Sequence, residues 1–158
     1  MTNKEYVLET LKRSGKLAAQ SIQDKSAEMT GTELNEEAAY IPAFSAAVKK
    51  MNMLERKAGL TDGFICKSSA GRVVRLIQNY DSTVYTQEPE ELPAQFGFVW
   101  SKNPAHALPF VAISTSPYMN GDCCTEDGDT YRSTIDNNVW APSAYPEGWE
   151  LAREGEAK

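Results

Sequence analysis

Histidine and long apolar runs are scarce in this sequence, and each shortage removes a class of function. His106 is the only histidine, which excludes a histidine-rich zinc site and leaves no obvious Cys–His pair for nucleophilic catalysis. The longest apolar run, residues 107–113, is far shorter than the roughly 20 residues of a membrane helix. The first residues also lack an apolar stretch of signal-peptide length, so we expect synthesis in the cytoplasm without a cleaved signal.

Cysteine is also rare, with Cys66, Cys123 and Cys124 as the only three. An odd number argues against a complete disulfide framework. Neighbouring residues of a strand point to opposite faces, so Cys123 and Cys124 are not expected to bond each other. We therefore expect three free thiols that pack as small apolar side chains.

The second part of the chain is short of positive charge. Residues 1–60 carry nine Lys or Arg and eight Asp or Glu, whereas residues 61–158 carry seven and fourteen. An acidic region repels phosphate backbones, so we expect no nucleic acid partner, and the short apolar runs predict no membrane partner. The same region has twelve aromatic residues, against three before it. That composition suits stacking on neutral sugars, and it equally suits a small β core that needs large side chains.

An amphipathic helix with a clear start signal opens the chain. Thr2 and Glu5 have the spacing of a capping box. Small and apolar residues then recur at intervals of three and four, which predicts one narrow stripe. The stripe contains Leu8, Leu11, Gly15, Ala18, Ile22 and Met29. We expect this helix to form a homo-oligomer or to anchor the chain to a larger assembly; the alternative is packing on its own chain.

The pattern after this helix predicts an α+β fold. Residues 30–60 indicate a partly helical connector, with Gly31 ending the first helix, Thr32 as a new N-cap and a weaker helix over 46–58. From residue 64 onward, short β-type runs alternate with Gly, Pro, Asn and Asp. The expected strands are 64–66, 73–77, 96–100, 110–113, 122–125 and 130–134. The expected organisation is a helical segment over 1–60 and two small antiparallel β modules over 61–114 and 115–158.

The two β modules contain a faint internal repeat. In each, a glycine precedes an arginine by four positions, and a loop leads to Pro-x3-Pro-x2-aromatic. The first copy has Gly71, Arg75, Pro89, Pro93 and Phe96, and the second has Gly128, Arg132, Pro142, Pro146 and Trp149. Residues that both copies keep are expected to be structural, and a feature of one copy is a candidate for function.

The second copy carries a more specific pattern, a Tyr-x-x-Gly-Asp segment followed by a hairpin glycine, a tyrosine strand, a proline and a final tryptophan. Its residues are Tyr118, Gly121, Asp122, Gly128, Tyr131, Pro142 and Trp149. Residues 115–151 thereby resemble the small chitin-binding-type modules of carbohydrate-binding families 5 and 12, in which these positions form the framework. Residues 131–150 are also similar to C-terminal modules of bacteriophage and prophage tail-region proteins. The resemblance implies a virion or similar extracellular particle, with a cell-surface glycan and other tail proteins as partners.

Two aromatic residues of the second copy remain once Tyr118, Tyr131 and Trp149 are assigned to its core. Trp140 and Tyr145 lie on a proline-bounded loop, where two large rings are hard to bury. The first copy has Gln87 and Leu92 at the corresponding positions. The predicted carbohydrate-binding residues are Trp140, Tyr145, Asn138 and Asp136. The alternative is that the two rings pack against the first module.

Two further features bear on the ligand and on catalysis. The family commonly has two consecutive aromatic residues soon after its tyrosine strand, where this chain has Ser133, Thr134 and Ile135, so the glycan is not specified. The carboxylate pairs at 90–91 and 127/129 lie in turns, and no nucleophile motif, phosphate-binding loop or metal-ligand spacing is present. We expect a non-enzymatic protein without metal or other cofactor. It is either a glycan-binding component or a purely structural virion or adaptor protein.

Overall fold

The computed structural model describes residues 2–50 and 52–152, with only the backbone of Leu11. The chain has the predicted α+β fold, in which a helical segment is followed by two small sheets. The helices are α1 (Asn3–Lys25), α2 (Gly31–Glu36) and α3 (Phe44–Lys50). The strands are β1 (Ile65–Lys67), β2 (Val73–Leu76), β3 (Phe96–Phe98), β4 (Leu108–Pro109), β5 (Cys123–Glu126), β6 (Asp129–Ser133) and β7 (Trp149–Leu151). Short 3₁₀ turns lie at 26–28, 38–40, 53–55, 89–91, 104–106 and 146–148.

Helix α1 begins with the predicted capping box. The Glu5 N–H donates to Thr2 Oγ1 at 3.1 Å, and the Thr2 N–H donates to Glu5 Oε2 at 2.8 Å. Only the C-terminal part of the helix packs on the body of the protein, where Ile22 is buried. Leu8, which belongs to the same stripe, is 49% exposed. The apolar stripe therefore continues past the point where the protein covers it.

The end of α1 closes an edge of the first sheet. The Gln23 side-chain amide donates to Ile65 O at 2.8 Å and accepts from the Ile65 N–H at 3.0 Å, so it takes the place of a neighbouring strand. The buried Arg75 side chain on β2 donates to Ser26 Oγ and Ser26 O, both at 3.1 Å. It also donates to the carbonyl of Thr61. These bonds fix the helix to the sheet, so both must form together.

The connector differs from the prediction at its caps. Thr30, and not Thr32, caps α2, because its hydroxyl accepts from the Glu33 N–H at 3.1 Å while Glu33 bonds back to the Thr30 N–H. Gly31 starts α2 instead of ending α1. A Cβ at Gly31 would lie 2.4 Å from the carbonyl oxygen of Trp100, so the close approach of that backbone segment requires glycine. The predicted helix over 46–58 is shorter, with α3 ending at Lys50 before a separate 3₁₀ turn.

The helical segment and the first sheet share their apolar cores. One cluster joins the α1–α2 region to β1 and β2, and consists of Ile22, Leu34, Ile41, Ile65 and Val73. The larger cluster joins α3 to the whole first sheet, and includes Phe44, Ala47, Met53, Cys66, Val74, Leu76, Phe96 and Phe98. Residues 1–60 therefore supply part of the first module's core.

The strand pairing confirms the predicted repeat. In the first copy β2 pairs with β1 and β3, and Leu76 lies opposite Phe96. In the second copy β6 pairs with β5 and β7, and Ser133 lies opposite Trp149. The backbone hydrogen bond beyond each of these pairs is also the same in both copies. The Ile77 N–H donates to the carbonyl oxygen of the residue before Phe96 at 2.8 Å. The Thr134 N–H donates to the carbonyl oxygen of the residue before Trp149 at 2.9 Å. Both copies use one backbone plan.

The hairpin of the second copy has the turn that its sequence predicts. Asp127 and Gly128 both have positive φ, at 51° and 86°, between the paired residues Glu126 and Asp129. Two central residues with positive φ match the twist of the flanking strands. Glycine is therefore required at 128, as the framework assignment expects.

The division between the modules is less sharp than predicted. β4 lies within the range assigned to the first module, but it pairs in parallel with β5 of the second sheet. The apolar run 110–113 was expected to form a strand, but it does not. Its residues supply packing instead, because Ile113 enters the first core and Phe110 packs against the core of the second module.

Stacked rings join the two modules into one core, and we call them the aromatic column. Trp100 follows β3 and stacks on Tyr118 with ring centroids 4.2 Å apart and planes 13° apart. Phe110 stacks on the same tyrosine at 5.4 Å, and Trp149 meets it edge-to-face at 5.4 Å. The complete column is Phe98, Trp100, Tyr118, Phe110 and Trp149. Trp100 and Phe110 were absent from the core predicted for the second module.

Two glycines give a matched test of these contacts. Gly31→Ala is expected to destabilise the protein by at least about 1–3 kcal/mol, because its Cβ meets the backbone of Trp100. Gly15→Ala meets nothing within 4 Å and is expected to raise helix stability by up to about 1 kcal/mol. Urea unfolding of both variants, followed by circular dichroism, measures the difference. Equal effects of the two substitutions would contradict the close approach at Gly31.

Candidate functional site

Trp140 and Tyr145 form a corner of two aromatic rings on the surface of the second module. Their ring centroids are 5.5 Å apart and their planes meet at 66°. Trp140 is 50% exposed and Tyr145 is half-buried. The predicted side-by-side placement is confirmed, and the alternative that both rings pack against the first module is wrong. The angle makes them two walls of a groove and not a flat platform.

The groove beside these rings has the size of a small-ligand site. Its volume is about 620 Å³. Besides the two rings it is lined by Ile135, Asp136, Asn137 and Ala144. Binding sites for small molecules typically combine apolar walls with a few polar groups in roughly 300–1,000 Å³. The groove has both, since one carboxylate and one amide face the aromatic corner.

The backbone of Trp140 is held on both sides by buried side chains. The Trp149 indole Nε1–H donates to the carbonyl oxygen of Trp140 at 2.8 Å. The Trp140 N–H donates to Asn138 Oδ1 at 3.3 Å. Trp149 and Asn138 are themselves buried. The exposed indole is therefore presented from a fixed backbone, which lowers the entropy that a ligand would have to remove.

Tyr145 is placed by a glycine that leaves room for its ring. The Tyr145 N–H donates to Ala141 O at 2.9 Å and closes a turn that begins beside Pro142. A Cβ at Gly148 would lie 2.8 Å from Tyr145 Cδ2. The tyrosine ring thus lies directly over Gly148. Tyr145 can form the second wall of the groove only because glycine has no side chain at that position.

Asn138 does not line the groove, contrary to its predicted role in sugar binding. Its side chain is fully buried, and Nδ2 donates to Ser133 Oγ and Gly148 O, both at 3.0 Å. Its backbone pairs with Tyr118 in both directions, at 2.8 and 2.9 Å. All of its polar atoms therefore serve the loop framework. A loop asparagine looks exposed in the sequence, and only the fold shows that it is internal.

The polar part of the groove comes from Asp136 and Asn137. Asp136 is exposed, as its predicted role requires, and its Oδ1 accepts from the Asn120 N–H at 3.0 Å. Asn137 was not predicted. It adopts φ of 55°, a left-handed conformation that asparagine tolerates better than most residues. The Asn-Asn pair in the sequence was a signal for this turn, although not for its place in the groove.

The remaining framework residues lie beneath the groove. Tyr118 is buried, and burial raises the pKa of its hydroxyl. Gly121 has φ of 99° and ends a turn that Asp122 closes by accepting from the Met119 N–H at 2.8 Å. Burial raises the pKa of the Asp122 carboxyl. Pro142 is buried and Tyr131 half-buried, so these residues support the fold and do not reach a ligand.

Other reactive side chains are engaged in structural contacts. All three cysteines are buried free thiols, as expected, and burial raises the pKa of Cys66 to about 12. Glu90 accepts from Ser68 Oγ at 2.6 Å and from Arg72 Nη1 at 3.1 Å. His106 pairs with Glu36 at 3.0 Å. Within residues 2–50 and 52–152, no group of three or more His, Cys, Asp or Glu is placed to hold a metal ion.

Comparisons with known proteins return no match. No family model, curated protein or solved structure matches the chain. In the part of the chain that the structure describes, no helix is long and apolar enough to span a membrane. The assignment of the groove therefore depends on its own geometry and on the sequence resemblance.

The contrast between the two tryptophans gives a stability test. Trp149→Ala is expected to destabilise the protein by about 3–5 kcal/mol, because it removes a buried ring and its bond to Trp140. Trp140→Ala is expected to cost less than about 1 kcal/mol, since half of its side chain is already in solvent. Denaturant unfolding of both variants measures the two costs. Similar losses would mean that Trp140 belongs to the core.

Proposed function

We propose that this chain is a non-catalytic carbohydrate-binding protein and that the Trp140–Tyr145 groove holds the sugar. The observation that carries the proposal is an exposed indole on a backbone fixed by two buried side chains. Two large rings side by side at the surface form an aromatic patch of the kind that marks ligand-binding grooves. The fixed backbone also prepares the ring for stacking.

The chemistry of the groove suits a neutral or weakly charged glycan. The face of an aromatic ring attracts the C–H faces of a pyranose, and two rings at 66° contact one sugar on two sides. Asp136 keeps an exposed carboxylate that accepts hydroxyl hydrogen bonds, and Asn137 adds an amide. Because the walls form a corner, we favour a bent chain or a terminal sugar over a flat polysaccharide ribbon.

The proposed setting is a bacteriophage tail or a tail-like particle that attaches to a host-surface glycan. The resemblance of residues 131–150 to tail-region modules supports this part of the proposal. Other tail proteins would be the protein partners, and the mature location would be the virion. The exposed apolar residues of α1 are consistent with such assembly, since they extend beyond the core that covers Ile22.

The second candidate is a purely structural virion or adaptor protein without a sugar site. The observation that favours it is also in α1, where Val7 and Leu8 lie on the same face as the buried Ile22 and are each at least 49% exposed. A helix that presents this much apolar surface fits an assembly role. The two candidates differ in the ligand of the Trp140 groove, which a binding experiment decides.

Glycan binding should depend on Trp140. Trp140→Ala is expected to weaken binding about tenfold or more, in line with roughly 1–3 kcal/mol for one stacked ring. The wild type is first screened on a glycan array and against insoluble polysaccharides, and the best ligand is then titrated by calorimetry. The matched control is Tyr85→Ala, which removes an aromatic side chain of similar exposure, 44%, from the corresponding loop of the first copy.

The control distinguishes a specific site from nonspecific binding to exposed aromatic residues. The control variant is expected to bind within about twofold of wild type. If both variants lose affinity equally, or if the wild type binds no glycan, the sugar site is rejected and the structural candidate is favoured.

Self-association should depend on one face of α1. Leu8→Glu is expected to shift the full-length protein toward monomer, because it places a charge in the uncovered stripe. The matched control is Leu17→Glu, since Leu17 is 67% exposed and lies about two and a half turns further, on the opposite face. Light scattering measures the mass. A monomeric wild type, or equal behaviour of the two variants, would remove the oligomer proposal.

A further inference from the structure

A second groove, which shares no lining residue with the aromatic corner, lies between α1 and α3. Its volume is about 450 Å³. Lys16 comes from α1, Lys50 lies at the end of α3, and Arg56 follows α3 along the chain. Three cationic side chains thus reach one concave surface of a protein whose net charge is −6. No carboxylate lines this groove.

The three cations have no acidic partner that neutralises them. Among the residues that the structure describes, none of Lys16, Lys50 and Arg56 forms an ion pair within 4.0 Å. A neighbouring groove on the other side of Arg56 does contain Asp24, Glu55 and Asp62. Asp62 pairs with Lys57, and among the described residues neither Asp24 nor Glu55 forms an ion pair with Arg56.

Arg56 is the fixed member of the three. Its guanidinium carbon lies 4.5 Å from the centroid of the Phe64 ring, so the cation stacks on an aromatic face. Its Nε is buried and bonds to no group among the described residues, which shows that packing and not a hydrogen bond holds this end. The outer nitrogens of a guanidinium held in this way are arranged to bind an anion through two parallel bonds.

Convergent like charges are unfavourable by themselves. Each cation in the groove raises the electrostatic energy of the other two, and the cost is larger beside an apolar wall than in open water. An anionic ligand removes that cost and adds charge-assisted hydrogen bonds. The arrangement is therefore better suited to a bound anion than to an empty protein surface.

We propose that this groove binds a phosphate monoester with an apolar organic part. A phosphate group has two charges near neutral pH and three oxygens, which one guanidinium and two ammonium groups can contact. The groove is larger than a phosphate group alone. Its other walls include Ala19, Pro42, Ala47 and Phe64, which offer apolar surface to the organic part. This site shares no lining residue with the Trp140 groove, so it does not depend on the proposed sugar binding.

Calorimetric titration at low ionic strength with three probes tests the chemistry. Phenyl phosphate is expected to bind more tightly than inorganic phosphate, because only the ester uses the apolar walls. Phenol, which lacks the charge, is expected not to bind. The affinity for phenyl phosphate should fall as salt is added, since the cations are partly in solvent.

Two double variants of the full-length chain locate the site. Lys16→Ala with Lys50→Ala is expected to weaken phenyl phosphate binding at least about tenfold. The control, Lys4→Ala with Lys49→Ala, makes the same change in net charge on the same two helices outside the groove, and is expected to stay within about twofold. Thermal melts confirm that both variants fold. The proposal is overturned if the wild type binds no phosphate, if phenol binds as well as its ester, or if the two double variants lose equal affinity.

Discussion

The stacking of Trp100 on Tyr118 is the contact on which the rest of the structure depends. Modules of about forty to fifty residues bury little apolar surface and are marginally stable by themselves. The 4.2 Å stack joins the end of the first sheet to the start of the second module. The Trp100 indole Nε1–H also donates to Ser116 O at 3.0 Å, which fixes the loop between them. The two modules therefore share one interior, although the sequence divides them into two copies.

The same interior determines the geometry of the surface groove. Trp149 meets Tyr118 edge-to-face inside the column, and its indole N–H bonds to the carbonyl oxygen of Trp140 outside it. One side chain thereby connects the core to the exposed ring. Asn138 makes a parallel connection from the loop framework. A change in the column is expected to move the groove, so stability and binding must be measured separately in every variant.

The repeat shows how one backbone plan serves two purposes. Leu92 and Tyr145 occupy equivalent positions just before the second proline of each copy. Leu92 is buried in the first core, whereas Tyr145 forms a wall of the groove. The shared strand register places both loops, which differ in length as well as in side chains. At this position the first copy adds a side chain to the core, whereas the second places an aromatic ring at the surface.

The sequence by itself determined what depends on local geometry. The capping box at Thr2, the hairpin at Gly128 and the repeated strands follow from neighbouring residues, and the proline-bounded loop was enough to single out Trp140 and Tyr145. Only the tertiary structure decided what depends on distant partners. Position 31 requires glycine because Trp100 passes close to it, and Asn138 is internal because its amide donates to Ser133 and Gly148. Trp100 and Phe110 join the second core because strands far apart in sequence bring their rings onto Tyr118. The periodicity of a sequence shows which residues are apolar, but contacts between separate segments decide which of them meet.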